Sequence, residues 1–262
     1  TNNHTIRQIG IDNRSVTTLA GTVRSSGSAN GVGTLASFNF PKGITTDGTN
    51  LYVADSYNHL IRQIGIDNRS VTTLAGDGSF GSSNGVGTSA EFKRPYGITT
   101  DGTNLYVADT NSHTIRKIGI DNRSVTTLAG TVGSSGSANG VGTSASFDTP
   151  YGITTDGTNL YVADTKNNKI RQIVISTGAV TTLAGTGSAL SLGVATTDND
   201  NGSLATFNFP SGITTDGTNL YVADRNIHKI RKIGIDNRSV TTLAGTGTGG
   251  RANGAGSDAT FK

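Results

Sequence analysis

The stretch at residues 43–55, GITTDGTNLYVAD, recurs letter for letter at 97–109, 152–164 and 212–224. Its tyrosines, Tyr52, Tyr106, Tyr161 and Tyr221, lie 54, 55 and 60 residues apart. A period of this size constrains the fold more than any local propensity. Each repeat must be one supersecondary unit that buries its apolar surface against its neighbours. Four short strands are predicted per unit, at 44–46, 50–54, 60–66 and 71–75 in the first complete copy. The second is rich in strand-favouring residues, and Asp47-Gly48-Thr49 supplies the chemistry of a tight turn. No segment keeps a helical apolar period, and Gly, Ser and Asn punctuate the whole chain.

Leu51 and Val53 point to one side of their strand, Tyr52 and Ala54 to the other. Both sides are therefore apolar, as in a sheet packed between two neighbouring sheets. A half-solvated sheet would alternate apolar with polar. Four antiparallel strands per unit, sandwiched on both faces, predict an all-β chain of β-propeller blades, with a right-handed β-solenoid as the competing architecture.

Phe92, Pro95 and Gly97 are followed by LYVAD at 105–109, by Ser112-His113-Thr114-Ile115-Arg116, and by VTTLAG at 125–130. This order resembles the NHL repeat, and the resemblance covers essentially all 262 residues. It implies a propeller. It implies no single activity, because the family includes lyases, RNA-binding modules and protein-binding modules.

In chain order, residues 1–21 read as half a blade, and complete blades start near 43, 97, 152 and 212. Residues 246–262 read as a further connecting loop, and the whole as one domain at 1–262. Five outer strand pairs thus face four inner pairs. Three closures fit: a segment of a longer propeller, an open five-bladed ring, or completion by a second chain. An unclosed edge predicts self-assembly there.

The chain has no Cys, Met or Trp, so disulfides and thiolate metal sites are excluded. No apolar run is long enough to span a membrane. The net charge of +3 comes with Lys and Arg spread by the repeat, whereas nucleic-acid binding needs them gathered on one face. A composition rich in Ser, Thr, Gly and Asn and free of Cys fits an extracellular or surface-attached bacterial protein.

Candidate chemistry is weak. His4, His59, His113 and His228 share one position of the repeat, with Asn168 in the remaining copy, so they read as turn caps. One Asp and one Arg per blade, such as Asp55 with Arg62, read as a buried bidentate pair. The run Asp198-Asn199-Asp200-Asn201-Gly202 suggests a calcium loop, but its Gly comes one position early. Asn201-Gly202 instead matches the repeat element Asn84-Gly85 and Asn139-Gly140. The Asn-x-Ser triplets at Asn13, Asn68, Asn122 and Asn237 read as hairpin turns. No nucleophile elbow, phosphate loop or paired-carboxylate cleft occurs. No catalytic residue, metal or cofactor is expected.

Where the repeats differ is more informative. The A–B turn, DGTN, is invariant, and the C–D turn, IDNRS, is the same in four of five copies. The opposite end carries the B–C and D–A loops, and it varies. Expected binding residues there are Phe40, Lys42, Tyr57, Arg94, Tyr96, Tyr151, Lys166, Phe209 and Arg225, with Tyr96 and Tyr151 near a channel mouth. Variable loops on a rigid scaffold are a usual way to build a binding surface. The first expectation is a non-enzymatic scaffold that recognises a protein or glycan on that end. The alternatives are a metal-dependent lyase- or lactonase-like propeller and an RNA-binding module.

Overall fold

A computed structural model of the chain describes residues 2–188 and 198–262. It falls into two compact units, Thr1–Thr127 and Leu128–Lys262. The first holds a two-stranded half blade (Ile6–Ile9, Val16–Ala20) and blade one (Pro41–Thr46, Asn50–Asp55, Leu60–Gly65, Ser70–Ala75). Most of blade two also belongs to it (Pro95–Thr100, Asn104–Asp109, Thr114–Gly119, Ser124–Ala129). The second holds blade three (Pro150–Thr155, Asn159–Asp164, Lys169–Val174, Ala179–Ala184) and blade four (Pro210–Thr215, Asn219–Asp224, Lys229–Gly234, Val240–Ala244). The protein is all-β and built of antiparallel β-propeller blades, with no helix beyond single 3-10 turns among the described residues.

Register follows the alternation in the sequence. Tyr52 pairs with Gln63 and Val53 with Arg62, while Pro41 pairs with Asp55 across a bulge. Tyr52, Ala54, Ile61 and Leu74 on one face of blade one pack against Phe92, Ile98, Leu105 and Val107. Val53, Ile64 and Val71 on the other face pack with Ala20, Ala36 and Phe38. Blade three repeats the first arrangement: Tyr161, Ala163 and Ile170 meet Phe207, Leu220 and Val222. Gly43 sits where neighbouring first strands approach closely, and a Cβ there would strike the carbonyl oxygen of Tyr96.

Two features were not apparent from the sequence. A two-residue strand precedes each of the first three blades, at Gly31–Val32, Gly85–Val86 and Gly140–Val141. Each adds a fifth member on the outer edge, as Gly31 does opposite Val71. That edge strand satisfies backbone groups that would otherwise invite pairing with another chain. In blade four a single bridge, Asn199 to Val240, takes its place. It is therefore Asp198-Asn199, and not Asn201-Gly202, that matches Asn84-Gly85. Gly202 instead opens the 3-10 turn Gly202–Leu204, as Gly33 opens Gly33–Leu35.

Candidate functional site

The turn end of each blade is self-contained. Asp47 Oδ1 accepts from the N–H groups of Thr49 and Asn50 at 2.8 and 2.7 Å, and the Tyr52 hydroxyl donates to Asp47 Oδ2 at 2.7 Å. Burial pushes the Asp47 carboxyl up, but these donors outweigh it and hold it down to about 2. Asp101 with Tyr106 and Asp156 with Tyr161 are built the same way. At the neighbouring turn Arg69 adopts φ 55 and its N–H donates to Gly65 O. Gly178 takes that left-handed position in blade three, so the one departure from IDNRS keeps the backbone path. Constancy at this end has a local structural cause.

Each blade also seals an arginine inside. Arg62 Nη1 donates to Asp55 Oδ2 at 3.0 Å and to Ser37 O, while Nη2 donates to Ala29 O and Asn30 Oδ1. The pair is single-bonded, not the bidentate fork expected from the sequence. The connecting loop claims the second guanidinium nitrogen, and Asp55 Oδ1 accepts the Asn39 N–H at 2.7 Å. The guanidinium carbon lies 5.2 Å from the Phe38 ring centroid. In blade four Asp198 replaces the asparagine, accepting from Arg231 at 2.8 Å and from Thr242. Two of the acidic run's oxygens are thereby engaged within the fold. Among the described residues no group of three His, Cys, Asp or Glu is placed to hold a metal.

The histidine position is a pin between elements. His4 and His59 are left-handed (φ 55 and 58), and their Nδ1 atoms accept the N–H of Phe40 and Arg94 at 3.2 Å. Asn168 Oδ1 does the same for Phe209 at 2.9 Å. The residue before each proline, Phe40, Arg94, Thr149 or Phe209, is itself left-handed, with φ between 49 and 56. Side chains with a Cβ rarely adopt this conformation, and here it aims the pre-proline side chain out of the sheet.

The loop end is narrower than its sequence variation suggested. Ser56 Oγ donates to Pro95 O at 2.6 Å inside the protein, and Asn58 Nδ2 donates to Gly27 O and Asp55. The first and third residues of that loop are therefore structural. The middle one, Tyr57, is tied to the fold by its N–H to Asn39 O, and its side chain projects outward. The equivalent Lys166 of blade three is likewise exposed.

In the first unit the outward side chains converge. Phe40 and Tyr57 lie 4.7 Å apart between ring centroids, and His4 meets Phe40 edge-on at 4.8 Å. The Arg94 guanidinium lies over Tyr57 at 4.5 Å, and the Lys42 ammonium over Tyr96 at 5.3 Å. Burial, then the Arg94 charge, lowers the pKa of His59. Two residues that the sequence reading missed join this surface: Lys93 lies 4.8 Å from the Phe80 ring, which His59 meets edge-on. The available signal was that Phe80 stands where other loops have Ser26 and Gly249. In the second unit Arg225 lies 5.8 Å from the Phe209 ring, Lys166 is exposed and Tyr151 is half-buried. Of the nine expected residues, Phe40, Tyr57 and Arg94 stack together, Lys42 lies over Tyr96 and Arg225 near Phe209, while Tyr151 is half-buried and Lys166 exposed.

The NHL repeat family model matches residues 38–64. The chain is 32% identical over 233 residues to the Arabidopsis thaliana protein SUPPRESSOR OF QUENCHING 1, chloroplastic, covering 84% of this chain and 22% of that protein. It is 28% identical over 308 residues to NHL repeat-containing protein 2 of Homo sapiens, covering 83% and 42%. The chain therefore spans less than half the length of these curated relatives. Two solved structures share the fold at TM-score 0.60. One is from a nidogen/laminin complex, at 19% identity over 91% of this chain and 71% of that chain. The other is an auxiliary nutrient binding protein of Bacteroides ovatus, at 15% identity over 90% and 58%. The repeat motif, the four-stranded blades and these relatives agree: the chain belongs to the NHL-repeat β-propeller family.

Proposed function

We propose that the chain is a non-enzymatic binding module of the extracellular space or cell surface that holds a protein or glycan on its loop end. The observation that carries this is that Phe40, Tyr57 and Arg94 stack together and Lys42 lies over Tyr96 at the loop end of the first unit, against a self-satisfied turn end. Aromatic rings and arginine are the groups that dominate recognition surfaces, because they offer large contact area with few rotamers to freeze. The names of the nidogen/laminin and nutrient-binding neighbours point the same way.

The test is Tyr96→Ala with Tyr151→Ala, screened against immobilised glycans and peptides. Loss of capture at an unchanged melting temperature supports the reading. A drop in stability of several kcal/mol would make these rings core and refute it.

Self-association is a second mode. Its support is the strand Ile6–Ile9, which pairs only with Val16–Ala20 among the described residues, beside Ile9 and Val16 at 65% and 51% exposure. Sedimentation velocity of Ile9→Lys against wild type tests it. A monomeric wild type refutes it.

A further inference from the structure

The two ends of the first unit differ in charge. The turn end carries one aspartate more than it has arginines at each A–B turn, Asp47 and Asp101, because Asp67 and Asp121 are matched by Arg69 and Arg123. The loop end reverses this, with Arg24, Lys42, Lys93 and Arg94 against Asp77 and Glu91. Glu91 accepts from Ser83, and Asp77 accepts from the Ser79 N–H. Among the described residues neither meets a cation within ion-pair distance.

Arg94 is the centre of this surface. Its guanidinium lies over Tyr57, and its backbone N–H is fixed by His59. None of the hydrogen bonds or ion pairs among the described residues uses its side-chain donors, in contrast to Arg62, which spends four on the loop and Asp55. A guanidinium held over a ring keeps its planar fork of donors, which matches a carboxylate, available for a ligand. Lys42 and Lys93 are likewise held over rings and, among the described residues, unpaired with any carboxylate. Three cations are thus held beside aromatic rings with donors unspent, and two of those rings protrude: Tyr57 is 38% and Phe80 54% exposed. A peptide anchor wants a pocket. Protruding rings between cations suit a chain lying across the surface, with apolar C–H faces for the rings and carboxylates for the cations.

We infer that the loop end of the first unit is a binding site for an acidic, uronate-bearing glycan, with Arg94 as the carboxylate receptor, Lys42 and Lys93 as flanking charges, and Tyr57 and Phe80 as stacking surfaces. This rests on the binding-face reading and gives it a ligand class. The site attracts carboxylates through a charge-assisted bond that salt weakens.

The test measures affinity of the whole chain for oligogalacturonate at low and at physiological salt, with its methyl ester, oligoglutamate and single-stranded RNA as comparators. The expected result is binding of the acid and none of the ester. Arg94→Gln should lose roughly tenfold or more, the usual worth of a hydrogen bond to a charged group. Lys42→Gln should lose less, and Lys117→Gln, on a third strand, nothing. Melting temperatures of the variants verify that each is folded. Absence of oligogalacturonate binding at low salt overturns the inference. Equal binding of acid and ester, or tighter binding of the peptide or RNA that Arg94→Gln abolishes, overturns the ligand class and leaves the binding face standing.

Discussion

Arg62 donates to Asp55 across 3.0 Å with neither side chain reached by solvent, and the same pair recurs as Arg116–Asp109, Arg171–Asp164 and Arg231–Asp224. The pair ties the second strand to the third, and the guanidinium reaches on to the loop that leads into the same blade. Removing one partner leaves a buried charge alone. Asp55→Asn or Arg62→Leu should therefore cost about 3–5 kcal/mol in chemical denaturation. Asp198→Asn, which restores the arrangement of the other blades at a half-exposed position, should change stability by less than about 1 kcal/mol.

The aspartates divide into two classes with opposite pH dependence. Burial pushes Asp55, Asp109, Asp164 and Asp224 up to about 6 against their donors. Their folded values lie above the unfolded ~3.9, so this contribution is full below that pH and is lost as pH rises through the folded value. In the turns, burial raises Asp101 and Asp156 less than the N–H groups and tyrosine hydroxyl lower them, as at Asp47, and Asp216 is lowered chiefly by the Asn219 N–H. That contribution is present above ~3.9 and is lost as pH falls through the depressed values. Melting temperature should peak between about pH 4 and 6. A monotonic rise from pH 5 to 8 would contradict this assignment.

Gly43 and Gly152 lie where first strands touch: a Cβ at Gly43 meets Tyr96 O, and one at Gly152 meets Ser211 O. At Gly212 the nearest atom is the Ala223 Cβ at 3.6 Å, an ordinary contact. Gly43→Ala and Gly152→Ala should each cost about 1–3 kcal/mol, and Gly212→Ala less than either, read by thermal melts of the three single variants.

The blades were legible from the sequence because alternation in Leu51-Tyr52-Val53-Ala54 reports burial on both faces, and a repeat multiplies that report. The edge strands Gly31–Val32 and Gly85–Val86 were not legible, because two residues carry no period and Gly weakens the strand signal. Asp198 was misaligned for a related reason: Asn201-Gly202 copies the letters of Asn84-Gly85, while the backbone pairing runs through Asn199. At the loop end, variation picked out Phe40, Tyr57 and Arg94, and the fold brings their side chains together. Variation could not separate Tyr57, which projects, from Ser56 and Asn58, which are spent on the fold. Phe80 was marked only by standing where other loops have Ser26 and Gly249, and Lys93 joined it through a spatial proximity that local spacing does not encode.

The central claim is that binding belongs to one end of the blades. It is tested most directly by probing one mixed array of acidic glycans, neutral glycans and peptides with three proteins: wild type, the loop-end variant Phe40→Ser/Tyr57→Ser/Arg94→Gln, and the turn-end variant Asp67→Asn/Asp121→Asn. Wild type and the turn-end variant should capture the same ligands at the same strength, and the loop-end variant, folded by its melting curve, should capture none of them. Capture that survives in the loop-end variant and disappears in the turn-end variant would contradict the account.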